Sequence, residues 1–289
     1  MTDDRAAADG SRPALPPGLA ATLVLVRHGE STYVAEGRFQ GRHDPPLSAL
    51  GERQALLVAR RLAERAGGVA LPVPAGPPLG IWHSPLRRAA QTAALIAGAQ
   101  PTRVPLHATE RLTELAQGEW EGQLMAEVRR RWPAELAAWR ATPALAQAPG
   151  GERLGDGARR VGDGLRDVIG ALAVGDGRQD DSDLAGAAAS ERYDPVPGYP
   201  SAMPSEAAAE PWAVLVAHDG IFRLCLLSLL DVPLARFWSF PFNLCAISVV
   251  ALQQGVATLR AHNLSEHLAP LADQERAAEE ARGERRGAL

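Results

Sequence analysis

Two apolar runs constrain what this chain can fold into more than any other feature. The first, Leu23-Val24-Leu25-Val26, leads straight into Arg27-His28-Gly29-Glu30-Ser31. The second, Ala213-Val214-Leu215-Val216-Ala217, leads into His218-Asp219-Gly220. Short, continuous aliphatic runs closed by polar residues and a glycine read as strands buried on both faces, the kind found in parallel sheets covered by helices. Set side by side, the two strands bring two imidazoles to one crevice at their carboxyl ends, where open α/β sheets bind ligands. An Arg next to a His suits an anionic ligand. The plainer reading is a strand that simply ends in solvent-facing polar residues.

The rest of the chain supports alternating strands and helices. A strand at 22–27 is followed by a polar loop at 28–46, with Gly37, Gly41 and a Pro45-Pro46 stop. Ser48 can cap a helix that carries Leu50, Leu57 and Leu62 and ends at Gly67-Gly68. A Pro/Gly-rich connection at 71–80 leads to a short strand around 79–83. Ser84-Pro85 supplies a cap residue and a first-turn proline, so a helix is expected from there through Ala97. A short strand is expected at 103–106. A helical region follows at 123–140 and breaks at Pro133, which lacks an amide proton. A helix at 156–174 puts Val161, Leu165, Val168, Ile169 and Leu172 on one face. After the strand at 213–217 come a helix at 221–230 and strands at 246–253 and 256–261. A Gln254-Gly255 hairpin turn joins those two strands. This order predicts an α/β layer fold with a mostly parallel sheet and at least one antiparallel strand from the hairpin.

Composition excludes several classes. The 289 residues are 46% hydrophobic and 22% charged with a net charge of −4, ordinary for a globular protein. No strong field or basic run invites nucleic acid or an acidic membrane. The apolar stretch from Trp212 to Leu230 is interrupted by His218, Asp219 and Arg223 and is no simple membrane span. The first residues lack the basic and apolar segments of a signal peptide, so a cytoplasmic protein is expected. The two cysteines, Cys225 and Cys245, sit in apolar runs and read as buried thiols. Residues 1–19 read as a disordered tail, 20–270 as one domain, and 271–289 as a polar C-terminal tail. Residues 175–211 read as a flexible insertion. Within that insertion, Asp180-Asp181-Ser182-Asp183 lacks the Gly and terminal Glu of a calcium loop and reads as a solvated acidic cluster.

The chemistry-bearing residues are the two strand-end histidines, Arg27, the pair Arg87 and Arg88 after Ser84-Pro85, and Glu114 in a loop. Such a set fits phosphoryl transfer. Arginine grips phosphate oxygens in pairs, imidazole can attack phosphorus, and a carboxylic acid can protonate a leaving oxygen.

These residues lie in blocks that resemble the histidine phosphatase superfamily, also called the phosphoglycerate mutase-like family. The blocks are LVLVRHGEST, GRFQGRHDPPLSALGERQA, HSPLRRAAQTA, ERLTELAQGEWEG, PGGE, VLVAHDGIFR and FNLCAISVV, in that order. The resemblance implies a three-layer fold with a six-stranded, mostly parallel sheet, one antiparallel edge strand and helices on both faces. It implies a covalent phosphohistidine at His28, no cofactor and no metal. By the same resemblance Arg27, Arg88 and His218 hold the phosphate, Arg87 faces solvent, and Glu114 is the proton donor. Ser31, Gln40, Gly41 and Asp219 are further substrate-side candidates, and Gly29 reads either as a ligand-approach glycine or as a turn. Trp120 and Glu121 read as packing and capping residues. His43, His83, His107, His262 and His267 fit no liganding pattern.

One departure stands out. Relatives usually carry Trp-Asn where this chain has Tyr33-Val34, and the Asn contacts phosphate; Val34 cannot. The block GEWEGQLMAEVRRRWP resembles broad-specificity and α-ribazole-phosphate phosphatases rather than mutases. The expected activity is hydrolysis of a small phosphomonoester. A phosphoglycerate mutase-type phosphotransferase and a non-catalytic phosphate-binding protein remain alternatives. The expected partner is the substrate alone, for a monomer or homodimer that touches neither nucleic acid nor membrane.

Overall fold

The computed structural model describes residues 13–64, 70–175 and 210–271. Gly67-Gly68, the acidic cluster and most of the insertion, residues 1–12 and residues 272–289 lie outside the described residues.

Six strands form one sheet: β1 (Ala20–Arg27), β2 (Gly80–His83), β3 (Leu106–Ala108), β4 (Trp212–Ala217), β5 (Ile247–Gln253) and β6 (Val256–Leu264). Their order is β3-β2-β4-β1-β5-β6. The pairs β3/β2, β2/β4 and β4/β1 are parallel, whereas β5 is antiparallel to both β1 and β6. The one reversed strand is therefore β5, and it lies one place in from the edge, which β6 occupies. The hairpin between them turns at Gln254 and Gly255, both with positive φ, 52° and 76°. That is the backbone a tight two-residue hairpin requires.

The helices are α1 (Thr32–Ala35), α2 (Ala49–Glu64), α3 (Arg87–Ala99), α4 (Met125–Arg131), α5 (Pro133–Ala141), α6 (Leu154–Gly175) and α7 (Asp219–Leu229). Strand alternation splits the core into two layers. Leu23 and Leu25 of β1 and Ala213 and Leu215 of β4 face one cluster, with Leu136 of α5, Val161 and Leu165 of α6 and Phe222 of α7. Val24, Val26, Val214 and Val216 face the other, with Val58 and Leu62 of α2 and Ala93 and Ile96 of α3. Both faces of the two central strands are thus covered, which accounts for runs without polar alternation.

Several expected boundaries move. Helix α3 begins at Arg87, not at Ser84-Pro85, because Leu86 is still extended. Ser84 Oγ accepts the Leu86 N–H at 3.3 Å, and Asp44 Oδ1, from the long polar loop, accepts the Arg87 N–H at 2.6 Å. The strand expected at 103–106 forms at 106–108 instead, and Val104 is buried in the α2/α3 layer. Residues 13–19, read as part of a tail, include Leu19, only 4% exposed, and Leu15, which packs on the α6/α7 layer.

Candidate active site

Strands β1 and β4 are paired in register, Arg27 opposite Ala217, so His28 and His218 both follow the last ladder residues. The His28 N–H donates to the Ala217 carbonyl at 3.0 Å. Their rings meet edge to face, with centroids 5.0 Å apart. His28 Nδ1 lies 2.6 Å from the carbonyl of Gly29, an acceptor that fixes the proton on Nδ1. The Nε2 lone pair is then free to point into the site, where Arg88 Nε donates to it at 3.3 Å. Burial, then the charges of Arg88 and Arg27, hold the His28 imidazole well below its ordinary pKa. It is a neutral base with a defined tautomer.

Arg88 is fully buried and held from behind. Its two terminal nitrogens donate to the carbonyls of His43, at 2.8 Å, and Gly41, at 2.9 Å. Burial brings its pKa down to about 10, still a cation near neutrality. Arg27 Nη1 donates to the Phe242 carbonyl at 2.5 Å. His218 is the N-cap of α7, and both its ring nitrogens are buried without a hydrogen-bond partner among the described residues. Burial again lowers its pKa well below the ordinary value, with Arg88 next in weight. Buried polar atoms without partners cost free energy, and an anion among them would supply acceptors.

Glu114 reaches the first turn of α7. Its carboxylate accepts the N–H of Leu115 at 2.9 Å and reaches the N–H of Gly220, in the first turn of α7, at 3.4 Å. Burial raises its pKa and Asp219 adds to the rise. Gly220 leaves the carboxyl its place, since a Cβ would stand 2.6 Å from Glu114 Oε1. The loop is clamped from outside. Arg160 of α6 donates to the carbonyls of Arg111 and Thr113, at 2.9 and 2.7 Å, and pairs with Glu152 at 2.8 Å. Arg42 donates to the Glu114 carbonyl at 3.3 Å. No role for Arg160 or Glu152 is legible in the sequence; the only signal is the PGGE block that contains Glu152.

The remaining candidates divide. Gln40, Gly41 and Asp219 border a cavity of about 400 Å³ together with Arg27 and Glu114. Asp219 pairs with Arg223 at 3.0 Å. Ser31 is fully buried and its hydroxyl is engaged locally: it donates to Gln40 at 2.5 Å and caps α1 by accepting the Val34 N–H at 3.2 Å. Gly29 also meets a third demand, because a Cβ there would lie 2.5 Å from the Gly51 carbonyl; it lets α2 close on the loop. Trp120 is fully buried, and Glu121 accepts the N–H groups of Arg42 and Gln117 at 2.9 and 2.8 Å. His107 stacks on Trp82, His262 lies 3.0 Å from Ser248, and His267 lies 3.0 Å from the Cys245 carbonyl. Both cysteines are buried and free. The sequence gives no hint of the cavity's far wall, where Trp139 of α5 meets Phe237 and Trp238 of the 3₁₀ turn Leu234–Ser239. Among the described residues no cluster of His, Cys, Asp or Glu is arranged to hold a metal ion, and no helix is long and apolar enough to cross a membrane.

A sheet whose parallel strands end in buried cationic and imidazole groups is built to grip a phosphate and act on it. The chain belongs to the histidine phosphatase superfamily, branch 1, whose profile matches residues 23–174 and 201–265. It is an enzyme of the kind that hydrolyses phosphomonoesters. It is similar to phosphoserine phosphatase 1 of Hydrogenobacter thermophilus, 28% identical over 249 residues, 85% of this chain and 93% of that protein. It is also similar to glucosyl-3-phosphoglycerate phosphatase of Mycobacterium tuberculosis, 29% identical over 218 residues, 75% of this chain and 79% of that one. The solved structure of the mycobacterial glucosyl-3-phosphoglycerate phosphatase with VO3 superimposes with a TM-score of 0.62 at 26% identity, covering 84% of this chain and 99% of the other. An α-ribazole-5'-P phosphatase structure from Escherichia coli shares the fold, with a TM-score of 0.60, 22% identity and coverage of 85% and 97%.

Proposed function

We propose that the chain hydrolyses a small phosphorylated metabolite through a covalent phosphohistidine on His28 Nε2. The observation that carries this reading is the 2.6 Å contact from His28 Nδ1 to the Gly29 carbonyl, which leaves Nε2 as the attacking atom. The lone pair on Nε2 forms the P–N bond as the ester P–O bond breaks. Glu114, whose pKa is raised by burial, gives its proton to the leaving oxygen. Arg27, Arg88 and His218 stabilise the charge on the three remaining phosphoryl oxygens. The Nδ1–H bond to Gly29 steadies the positive charge that the ring acquires. Water then attacks phosphorus, Glu114 takes its proton, the P–N bond breaks, and phosphate leaves with His28 neutral again. The named phosphatases among the relatives favour hydrolysis over return of the phosphoryl group to a substrate.

The test is a labelled-phosphate trap. A quenched reaction is expected to hold protein-bound phosphate that is labile in acid and stable in alkali, and His28→Ala is expected to lose both label and turnover. Label retained in His28→Ala would overturn the assignment.

A further inference from the structure

The cavity beside Glu114 has a mixed lining. Besides Arg27 and Glu114, its lining includes the apolar side chains of Phe39, Met125, Trp139, Phe237 and Trp238, the last three in mutual ring contact. Phe237 and Trp139 are buried, 1% and 7% exposed, whereas Trp238 and Met125 are 42% and 38% exposed where they border the cavity. Trp238 is held firmly for so open a residue. Its ring stands edge-on to Phe237 at 4.7 Å and to Trp139 at 5.8 Å. The Arg223 guanidinium lies 5.1 Å from its centroid and is fixed by the 3.0 Å pair with Asp219, next to His218. The same turn that carries His218 therefore anchors the indole, an ordered apolar surface with little entropy left to lose on binding.

The charges on this cavity point the same way. Its cationic lining side chains are Arg27 and Arg38, and its acidic ones are Glu114 and Asp219. Arg38 is taken up by Glu36 at 2.6 Å and the Gly122 carbonyl at 2.8 Å. With Arg27 taken up by the phosphate, a carboxylate on the leaving group would meet two carboxyl groups and one further cation, Arg38, that already has partners, while a ring would meet a ready face.

Resting on the phosphatase reading above, we propose that this cavity selects phosphomonoesters of alcohols bearing an uncharged ring, with Trp238 as the specificity-determining residue, over esters whose alcohol carries a carboxylate. The reaction releases the ring alcohol and inorganic phosphate, with water supplying one proton and the hydroxyl.

The full-length protein should be assayed for phosphate release from 2-phenylethyl phosphate, ethyl phosphate, phosphoserine and 3-phosphoglycerate, all four of them esters of primary alcohols. kcat/KM for 2-phenylethyl phosphate is expected to exceed that for ethyl phosphate and for phosphoserine by about tenfold or more. Trp238→Ala should shrink the ratio of 2-phenylethyl to ethyl phosphate by about tenfold, and Trp238→Phe should restore most of it. Phosphoserine or 3-phosphoglycerate turned over as well as 2-phenylethyl phosphate would overturn the proposal, as would an unchanged ratio in Trp238→Ala. If Trp238→Ala does not fold, the wild-type ranking and Trp238→Phe decide. Turnover of none of the four would instead sink the phosphatase reading. Calorimetric affinity for 2-phenylethyl phosphonate against ethyl phosphonate would then still decide the wall: a clear preference for the former supports it and equal affinity overturns it.

Discussion

The floor of the site and its far wall are built on opposite principles. The floor consists of His28, Arg88 and His218, each at most 1% exposed, with backbone carbonyls at fixed distances behind two of them. The two histidines are placed by the register of two adjacent strands, and Arg88 enters from the first turn of α3. The wall consists of rings from α5, a 3₁₀ turn and the loop around Phe39, held by edge contacts and one guanidinium. A rigid polar floor suits a group that every substrate shares, and a wall made of separate surface elements suits the part that varies.

The contrast predicts that floor substitutions cost rate on every substrate. Arg88→Ala removes a donor and leaves the carbonyls of Gly41 and His43 without their partner. kcat/KM is expected to fall about 10²–10³-fold whatever the leaving group. Arg88→Lys should recover little, because one ammonium cannot serve His28 and two carbonyls in a plane. A loss confined to one substrate would mean that the floor is not shared.

The pH profile tests the two ionisations that make the floor work. His28 must be neutral to attack, and its pKa is held below 6.5, so activity is lost only as pH falls through that lowered value. Glu114 must be protonated to release the alcohol, and its pKa is raised above 4.5, so activity is lost as pH rises through that raised value. The expected profile is a bell whose acid limb lies below 6.5 and whose alkaline limb lies above 4.5. Glu114→Gln should slow turnover and remove the alkaline limb, as measured by kcat/KM across pH. An alkaline limb unchanged in Glu114→Gln would assign it to another group.

Gly220→Ala probes the seam between α7 and the acid. The new methyl would sit 2.6 Å from Glu114 Oε1 and 3.0 Å from Leu115, so the carboxyl must move. A displacement near 1 Å can cost about 10²-fold in rate, and a loss of about tenfold to that limit is expected in kcat, with phosphate affinity little changed. Equal losses in both would show that α7 itself had shifted and that floor and acid are one unit.

What could be read from the chain divides along the same line. The floor is legible because each part is local: an aliphatic run, a His and a Gly mark the end of a buried strand at 23–29 and again at 213–220. The buried face of α6 is legible because a helix of 22 residues repeats its period several times. The start of α3 is misread because the expected local cap of Ser84 gives way to Asp44, a partner in a distant loop. The packing demand on Gly29 is invisible in the sequence because it comes from the Gly51 carbonyl, across the interface with α2. The wall leaves no trace in the sequence, since Trp139, Phe237 and Trp238 follow no common period and meet only in three dimensions.

The smallest expected effect lies where floor meets wall. Val34, where the family resemblance leads one to expect an Asn, borders the same cavity as Arg27. Its isopropyl group can add apolar surface to the wall but cannot donate to a phosphate oxygen. Val34→Asn replaces it with an amide of similar size on a short helix whose cap, Ser31 to the Val34 N–H, uses only backbone from this residue. One added hydrogen bond contributes about 0.5–1.5 kcal/mol, so inorganic phosphate should inhibit about two- to tenfold more tightly. The same change should weaken any preference for ring-bearing alcohols, because apolar surface is lost beside them. Tighter phosphate binding with an unaltered substrate ranking would place Val34 in the floor alone; an altered ranking with unchanged phosphate inhibition would place it in the wall.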